Sequence, residues 1–285
     1  MPDLPPLPPV ASQPLTVALL ADNDAAHVSE LLSAWAQHLD GMGRDYQLLL
    51  VDDGSADATT ERADALRGQI PRLEVLRLEK RSGVGAALRM AISAAKHPLF
   101  LYTLCDPRFG PADLPRLLQA IDPVHCVTGY RAGRRVPLAW RTIGLLNRFL
   151  CRVILSAAPA PLPGWLGMKG HAVALLARVF FGVRNRDVLC PYRLARREIF
   201  ARIPIQSDRT FAHVEMLAKA NFLGCVLSED VPLGDPGRPV RAEPRDGPDA
   251  RFYQDFRRVL DRPYFGPTFL PAPEKAEPTE TVPAG

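Results

Sequence analysis

Three strand-like stretches of this chain each run out into aspartate. Leu15-Thr-Val-Ala-Leu-Leu20 is followed by Asp22-Asn23-Asp24, Leu48-Leu-Leu-Val51 by Asp52-Asp53-Gly54-Ser55, and Leu99 to Leu104 by Cys105-Asp106-Pro107-Arg108. Carboxylates accept the N–H and O–H donors of a base or a ribose, and they hold divalent cations. Gathered at one mouth they suit a nucleotide, a metal or both. Acids with only solubility to serve have no reason to prefer the carboxyl ends of strands. For the central stretch a structural alternative stands beside this one: an Asp-Gly turn, with a Ser/Asp cap opening a helix from about Ala58 to Leu66.

Two further groups could do chemistry. Arg81-Ser82-Gly83-Val84-Gly85 opens a helix with two glycines, either so that loop backbone can approach a nucleotide or so that the helix can pack close to the sheet. It is not a dinucleotide fingerprint, because the third glycine is replaced by Leu88 and the motif follows the third strand. Between Asp122 and Asp187 the chain has no Asp or Glu, while Arg131, Arg134, Arg135, Arg141, Arg148 and Arg152 fall inside that span. Arg131, Arg134 and Arg135 are candidates for holding a phosphate, which a guanidinium fork matches in shape and charge.

The elements that must position these residues alternate strand and helix five times. This predicts an α/β fold with a mostly parallel sheet, right-handed crossovers and helices on both faces, with ligands bound at the carboxyl ends of the strands. A helix carries Val28, Leu31, Leu32, Trp35 and Leu39 on one face. Leu73 to Leu78 reads as a strand, the Gly83/Gly85 helix runs to about Lys96, and a short helix covers Ala112 to Ala120. His125 to Thr128 reads as a strand, Arg196 to Ile203 as a helix, His213 and Glu215 as the opening of an amphipathic helix with Asp208 as its cap, and Phe252 to Leu260 as a terminal helix. Trp140 to Leu155 and about His171 to Phe181 form a helical pair, the first basic and amphipathic, the second mostly apolar. They suit either the plane of an anionic bilayer or packing on the sheet with a solvated arginine face.

Composition sets the frame. The chain has 285 residues, 47% hydrophobic and 23% charged, enough for one main domain of about 220 residues. A net charge of +4 is too weak to imply nucleic acid, and no RNA- or DNA-reading motif is present. Five scattered cysteines and the lack of a secretory leader predict reduced thiols in the cytoplasm. No apolar run reaches the roughly 18 to 20 residues of a membrane span. Cys190 and His213 are two isolated ligands and make no zinc motif.

With these residues in view the chain resembles glycosyltransferase family 2, in particular the dolichyl-phosphate or undecaprenyl-phosphate sugar transferases. The likeness runs from about Leu15 to Leu233. It rests on Val51-Asp-Asp-Gly-Ser55, the Gly83/Gly85 loop, Asp106 at the fourth strand end, Gly129-Tyr-Arg131, Arg186-Asp-Val-Leu-Cys-Pro-Tyr-Arg-Leu-Ala-Arg-Arg197, Val214-Glu-Met-Leu-Ala218 and Glu229-Asp-Val-Pro-Leu233. The resemblance implies a GT-A-like, Rossmann-related nucleotide-sugar-binding fold, a UDP- or GDP-sugar donor and often Mg²⁺ or Mn²⁺. It implies that Asn23, Asp24, Asp52 and Asp53, with Gly83 and Gly85, contact the nucleotide sugar, that Asp106 meets the metal and diphosphate, and that Arg131 meets an acceptor phosphate.

The chain also departs from the family's pattern. The usual Pro-x-Tyr-Asn-Glu stands here as Leu20-Ala21-Asp22-Asn23-Asp24, Asp-x-Asp as Leu104-Cys105-Asp106, and the Gln two residues later as Arg108. A single Asp with substrate phosphates can still hold a metal. Arg108 can instead supply a fixed cation to the diphosphate, or pair with Asp106 and silence the site. The expected organisation is a proline-rich tail over 1–14, the transferase domain over 15–233 with a membrane-surface pair over 137–182, a loop and short helix over 234–270, and a second tail over 271–285. The expected activity is sugar transfer from a nucleotide donor to a polyprenyl phosphate, with the protein peripheral on the cytoplasmic face of a membrane. The competing reading is a lapsed relative that binds a nucleotide sugar or a partner without transfer.

Overall fold

A computed structural model describes residues 13–131, 168–185, 187–235, 238–239 and 250–265. Eight strands form it: β1 (Leu15–Ala21), β2 (Tyr46–Asp52), β3 (Leu73–Arg77), β4 (Leu99–Leu104), β5 (Cys126–Arg131), β6 (Arg193–Arg196), β7 (Leu227–Asp235) and β8 (Arg238–Pro239). The described helices are α1 (Val28–Gly41), α2 (Thr59–Asp64), α3 (Val84–Ala94), α4 (Leu114–Ala120), α5 (Met168–Phe181), α6 (Phe211–Phe222) and α7 (Ala250–Asp261). Strand order is β3-β2-β1-β4-β6-β5-β7-β8. β1 through β4 are parallel, β6 runs against both β4 and β5, and β5 pairs in parallel with β7.

Alternation along the buried strands splits the core in two. Leu15, Val17 and Leu19 of β1 meet Leu48 and Leu50 of β2 and the inner stripe of α1 (Val28, Leu31, Leu32, Trp35, Leu39) on one face. Ala18, Leu20, Leu49 and Val51 point the other way, onto Ala87, Leu88 and Ala91 of α3 and onto Ala212, Met216 and Ala220 of α6. Strands buried on both faces read as unbroken apolar runs, which is why β1, β2 and β4 were legible from composition alone.

Three expectations need correction. The helix expected over Arg196 to Ile203 is absent: Arg196 ends the antiparallel strand β6 in mid-sheet, and a short 3₁₀ turn (Arg197–Ala201) stands in the helix's place. Arginine is a poor signal for a central strand. Here Arg193 donates to the carbonyls of His213 and Val188, and Arg196 to those of Val124 and Asp122, so both charges are met by backbone oxygen. The segment beyond Pro232, expected as loop, continues β7 to Asp235 and turns back through β8. Asp208 does not cap α6, whose N-cap is Thr210; it pairs with Arg89 of α3 instead. The expected helix over Trp140 to Leu155 lies outside the described residues, as do most of the two tails. Its partner is present as α5, and Val173, Ala177 and Phe181 pack into a third core cluster with Phe211, Val214 and Leu217 of α6, leaving Val179 and Phe180 exposed. Among the described residues no helix is long and apolar enough to cross a membrane.

Candidate functional site

Register brings three of the acidic ends together. Ala21 pairs with Asp52 and Leu20 with Leu104. The Asp53 N–H then donates to the Ala21 carbonyl at 2.9 Å, and the Cys105 N–H to the Leu20 carbonyl at 2.8 Å. Asp22 to Asp24, Asp52–Asp53 and Asp106 therefore leave the sheet along one edge, at the ends of adjacent strands. Asn23 holds a left-handed φ of 56°, a conformation Asn tolerates. It is pinned there by its N–H to Ser55 Oγ and by its Oδ1, which accepts from Ala56 N.

The carboxylates of this edge do different work. Asp52 is wholly buried and closes its own turn, accepting from Ser55 N–H, from the Ser55 and Thr60 hydroxyls, and facing Arg77 at 3.7 Å. Asp24 is also buried; its Oδ2 accepts from Asp22 N, and its own N–H donates to Thr59 Oγ1. Asp53 reaches across to the β3–α3 loop and accepts from Ser82 N at 2.7 Å and from Gly83 N at 2.8 Å. Burial pushes the Asp53 carboxyl above the usual carboxylate range, and those two N–H groups pull it back in part. Asp22, on the rim, pairs with Arg81 at 2.5 Å.

Both glycines of the loop answer to a neighbouring backbone. A Cβ on Gly85 would lie 1.9 Å from the Ser207 carbonyl oxygen, and one on Gly83, which has φ +104°, 2.5 Å from that of Asp208. The Gly85 N–H donates to the Asp208 carbonyl at 2.7 Å. The close approach is therefore to the 207–208 segment. That segment is held in turn by Glu215, which accepts from Gln206 N and Ser207 N and pairs at 2.7 Å with Lys219, both side chains fully buried. Asp53 and Glu215 thus fix the glycine loop from opposite sides. A groove of about 630 Å³ lies next to it between β3 and α3, lined by Leu76, Arg77, Arg89, Met90 and Asp208 and reaching Ser82.

Asp106 caps a 3₁₀ turn (Pro107–Phe109) by accepting from Arg108 N at 2.9 Å. The Arg108 side chain closes on the same carboxylate, Nε lying 2.9 and 3.0 Å from Oδ1 and Oδ2, with Nη2 also on Oδ2. These residues do not fit a divalent metal. Both oxygens of the carboxylate are engaged by a cation, the position two residues earlier is the apolar Leu104, and among the described residues no group of three or more His, Cys, Asp or Glu side chains is arranged to hold an ion.

Arg131, which the sequence assigns to an acceptor phosphate, is buried at the end of β5. Its Nε and Nη2 meet Asp187 at 2.7 and 2.8 Å. Arg134 and Arg135 lie outside the described residues. Next to this pair the His213 ring stacks on Tyr102, with Nδ1 3.0 Å from the Tyr102 hydroxyl. Burial, then the positive charges of Arg193 and Arg131, hold His213 well below the ordinary histidine range. Burial also raises the Cys190 thiol to about 12, leaving it inert as a ligand or nucleophile. Ser82 and the Arg81–Asp22 pair are the members of this region that sequence reasoning did not assign. Asp187 was visible as the end of the acid-free span and within the Arg186–Arg197 motif of the resemblance, but its pairing with Arg131 was not.

Parallel strands laced at their carboxyl ends, a glycine loop clamped beside them and helices on both faces define an α/β fold of GT-A-like class. Residues 24–154 match the family model of glycosyl transferase family 2. The chain is 30% identical over 116 residues to the undecaprenyl-phosphate 4-deoxy-4-formamido-L-arabinose transferase of Edwardsiella ictaluri, covering 40% of this chain and 36% of that one. It is 29% identical over 107 residues to the dolichol-phosphate mannosyltransferase of Pyrococcus furiosus, covering 38% of this chain and 30% of the other. The alignments thus span about a third of the length of these curated relatives. Among solved structures, the glucosyl-3-phosphoglycerate synthase of Mycobacterium tuberculosis, crystallised with Mn²⁺, UDP and glucosyl-3-phosphoglycerate, superposes with a TM-score of 0.54 at 21% identity, covering 88% of this chain and 78% of that one.

Proposed function

We propose that the protein transfers a sugar from a UDP- or GDP-sugar to the phosphate of a polyprenyl lipid, working at an anionic membrane surface. The observation that supports this reading is the convergence of the β1, β2 and β4 ends on one edge; in this reading Asn23, Asp24 and Asp53 take the base and ribose, and Asp106–Arg108 the diphosphate. The relatives are named for undecaprenyl and dolichol phosphate, which supports a lipid phosphate as acceptor.

The chemistry asks little of a general base. An acceptor phosphate is ionised at neutral pH, so its oxygen attacks the anomeric carbon with no proton to lose. The bond from that carbon to the donor's diphosphate breaks, and the nucleoside diphosphate leaves with the electron pair. The protein's part is to align the two phosphates and to neutralise charge as it builds on the leaving group. In this scheme Arg134 and Arg135 take the acceptor phosphate. Arg131, held by Asp187, fixes the end of β5 from which they follow.

A panel of nucleotide sugars scored by thermal stabilisation, followed by transfer of radiolabelled sugar to undecaprenyl phosphate, tests this. One UDP- or GDP-sugar is expected to stabilise the protein and to label the lipid, with Asp106→Ala lowering transfer by about a hundredfold. Stabilisation without labelling would favour the second reading, a lapsed relative, for which Leu104 and the closed Asp106–Arg108 pair speak. No stabilisation by any donor would reject the transferase reading and leave only a relative that binds a partner.

A further inference from the structure

We propose that two aspartate-anchored arginines, Arg81 and Arg108, hold the donor's diphosphate in place of a divalent cation, so that nucleotide binding is independent of metal. This inference rests on the donor-site reading above and adds which groups carry the charge.

Leu20 and Leu104 are partners in register on adjacent parallel strands. Asp22 and Asp106 each follow two residues later, so the two carboxylates leave the sheet side by side. Each holds an arginine: Asp22 takes Arg81 at 2.5 Å, and Asp106 takes Arg108. In both pairs the acid is the more buried member and the guanidinium faces solvent. Arg81 is 59% exposed against 20% for Asp22, and Arg108 is 45% exposed against 7% for Asp106. The mouth therefore presents cations outward on carboxylates that serve as their footings.

Both arginines are also fixed at the backbone. Arg108 lies in the 3₁₀ turn that Asp106 caps, and the next residue, Phe109, is buried in the core beneath. Arg81 directly precedes the Ser82–Gly83 segment clamped by Asp53, and a Cβ on Gly54 would lie 2.5 Å from its backbone nitrogen. Positions held this firmly suit a preorganised anion site. Two guanidiniums carry the same formal charge as one divalent ion, and their planar forks bind phosphate oxygens in pairs. The acids nearby do not oppose the ligand: Asp22 and Asp106 are paired, and Asp53 is satisfied by backbone N–H groups.

The same arrangement disfavours a metal. An ion at Asp106 would have to displace Arg108 from both carboxylate oxygens and then share the mouth with its positive charge, with Leu104 offering no second ligand. In the transfer step the electron pair of the breaking bond ends on the diphosphate, and the added negative charge is met by these two guanidiniums with no change in their protonation.

Calorimetric titration of the full chain with UDP and with GDP, in EDTA and in Mn²⁺, tests the inference. One nucleotide is expected to bind in EDTA with an affinity that Mn²⁺ changes by less than about threefold. Arg108→Gln and Arg81→Gln are each expected to weaken that binding by about tenfold or more, and Arg108→Lys by less, because it keeps the charge while losing the fork. Binding by the wild type only when Mn²⁺ is present would overturn the inference and leave the donor site standing. So would unchanged affinity in a folded Arg108→Gln protein. No binding of either nucleotide in either condition would instead remove the donor-site reading itself. The wild-type comparison needs no variant, so a misfolded mutant cannot obscure the answer.

Discussion

Asp106–Arg108 and Asp187–Arg131 are the same chemical pair, a carboxylate gripped by a guanidinium fork, placed in different surroundings. At the end of β5 the pair is closed in, with side chains 0% and 1% exposed. At the end of β4 the arginine is nearly half exposed. Burial turns the first into a strut. Two desolvated charges must stay together, because removing either strands the other in the core. Exposure leaves the second arginine able to face a soluble anion while it stays on Asp106, since nearly half of its side chain meets water. Like side-chain pairs thus take different parts according to what covers them.

That contrast can be broken or sharpened by mutation. Asp187→Ala should cost about 3–5 kcal/mol in urea unfolding, because Arg131 would be left charged and buried; a loss near 1 kcal/mol would mean that water reaches the pair. Gly85→Ala should cost about 3 kcal/mol, since the new methyl group meets the Ser207 carbonyl and neither backbone can give way easily.

Acid should weaken the strut side selectively. His213 has a folded pKa far below its unfolded value of 6.5, so below that pH the unfolded chain binds the extra proton first. Its contribution to stability is complete above about pH 6.5 and is lost as pH falls toward the folded value, by up to about 1.4 kcal/mol per pH unit. His213→Gln should flatten that part of the stability profile between pH 6.5 and 5. The smallest expected effect on stability is that of Arg108→Gln, under about 1 kcal/mol by urea unfolding, because the backbone N–H of residue 108 stays on Asp106 and the lost guanidinium is itself half exposed. A loss comparable to that of Asp187→Ala would make both pairs scaffold and erase the distinction.

Much of this was legible in the chain. Apolar runs ending in aspartate gave β1, β2 and β4 and the edge on which Asp24, Asp53 and Asp106 gather, because a doubly buried parallel strand has little compositional freedom. The central strand β6 was not legible. Arg193 and Arg196 are acceptable there only because carbonyls distant in sequence satisfy them. The partner of Arg131 was hidden for a related reason: Asp187 lies far along the chain, and only the sheet brings the two together. Gly83 and Gly85 were visible as a demand for close approach, but what approaches them, the Ser207–Asp208 backbone, is a tertiary fact. Leu104 and Arg108, by contrast, stood out against the pattern of the family the chain resembles.

Hydrogen–deuterium exchange on the full chain, with and without the nucleotide that stabilises it, asks most directly whether the strand mouth is the donor site. Protection is expected at four separated segments, 22–25, 53–56, 81–84 and 104–109, while the groove-lining stretch of α3 over 89–94 stays unchanged. Protection confined to that groove, or absent from the mouth at saturating nucleotide, would contradict the account.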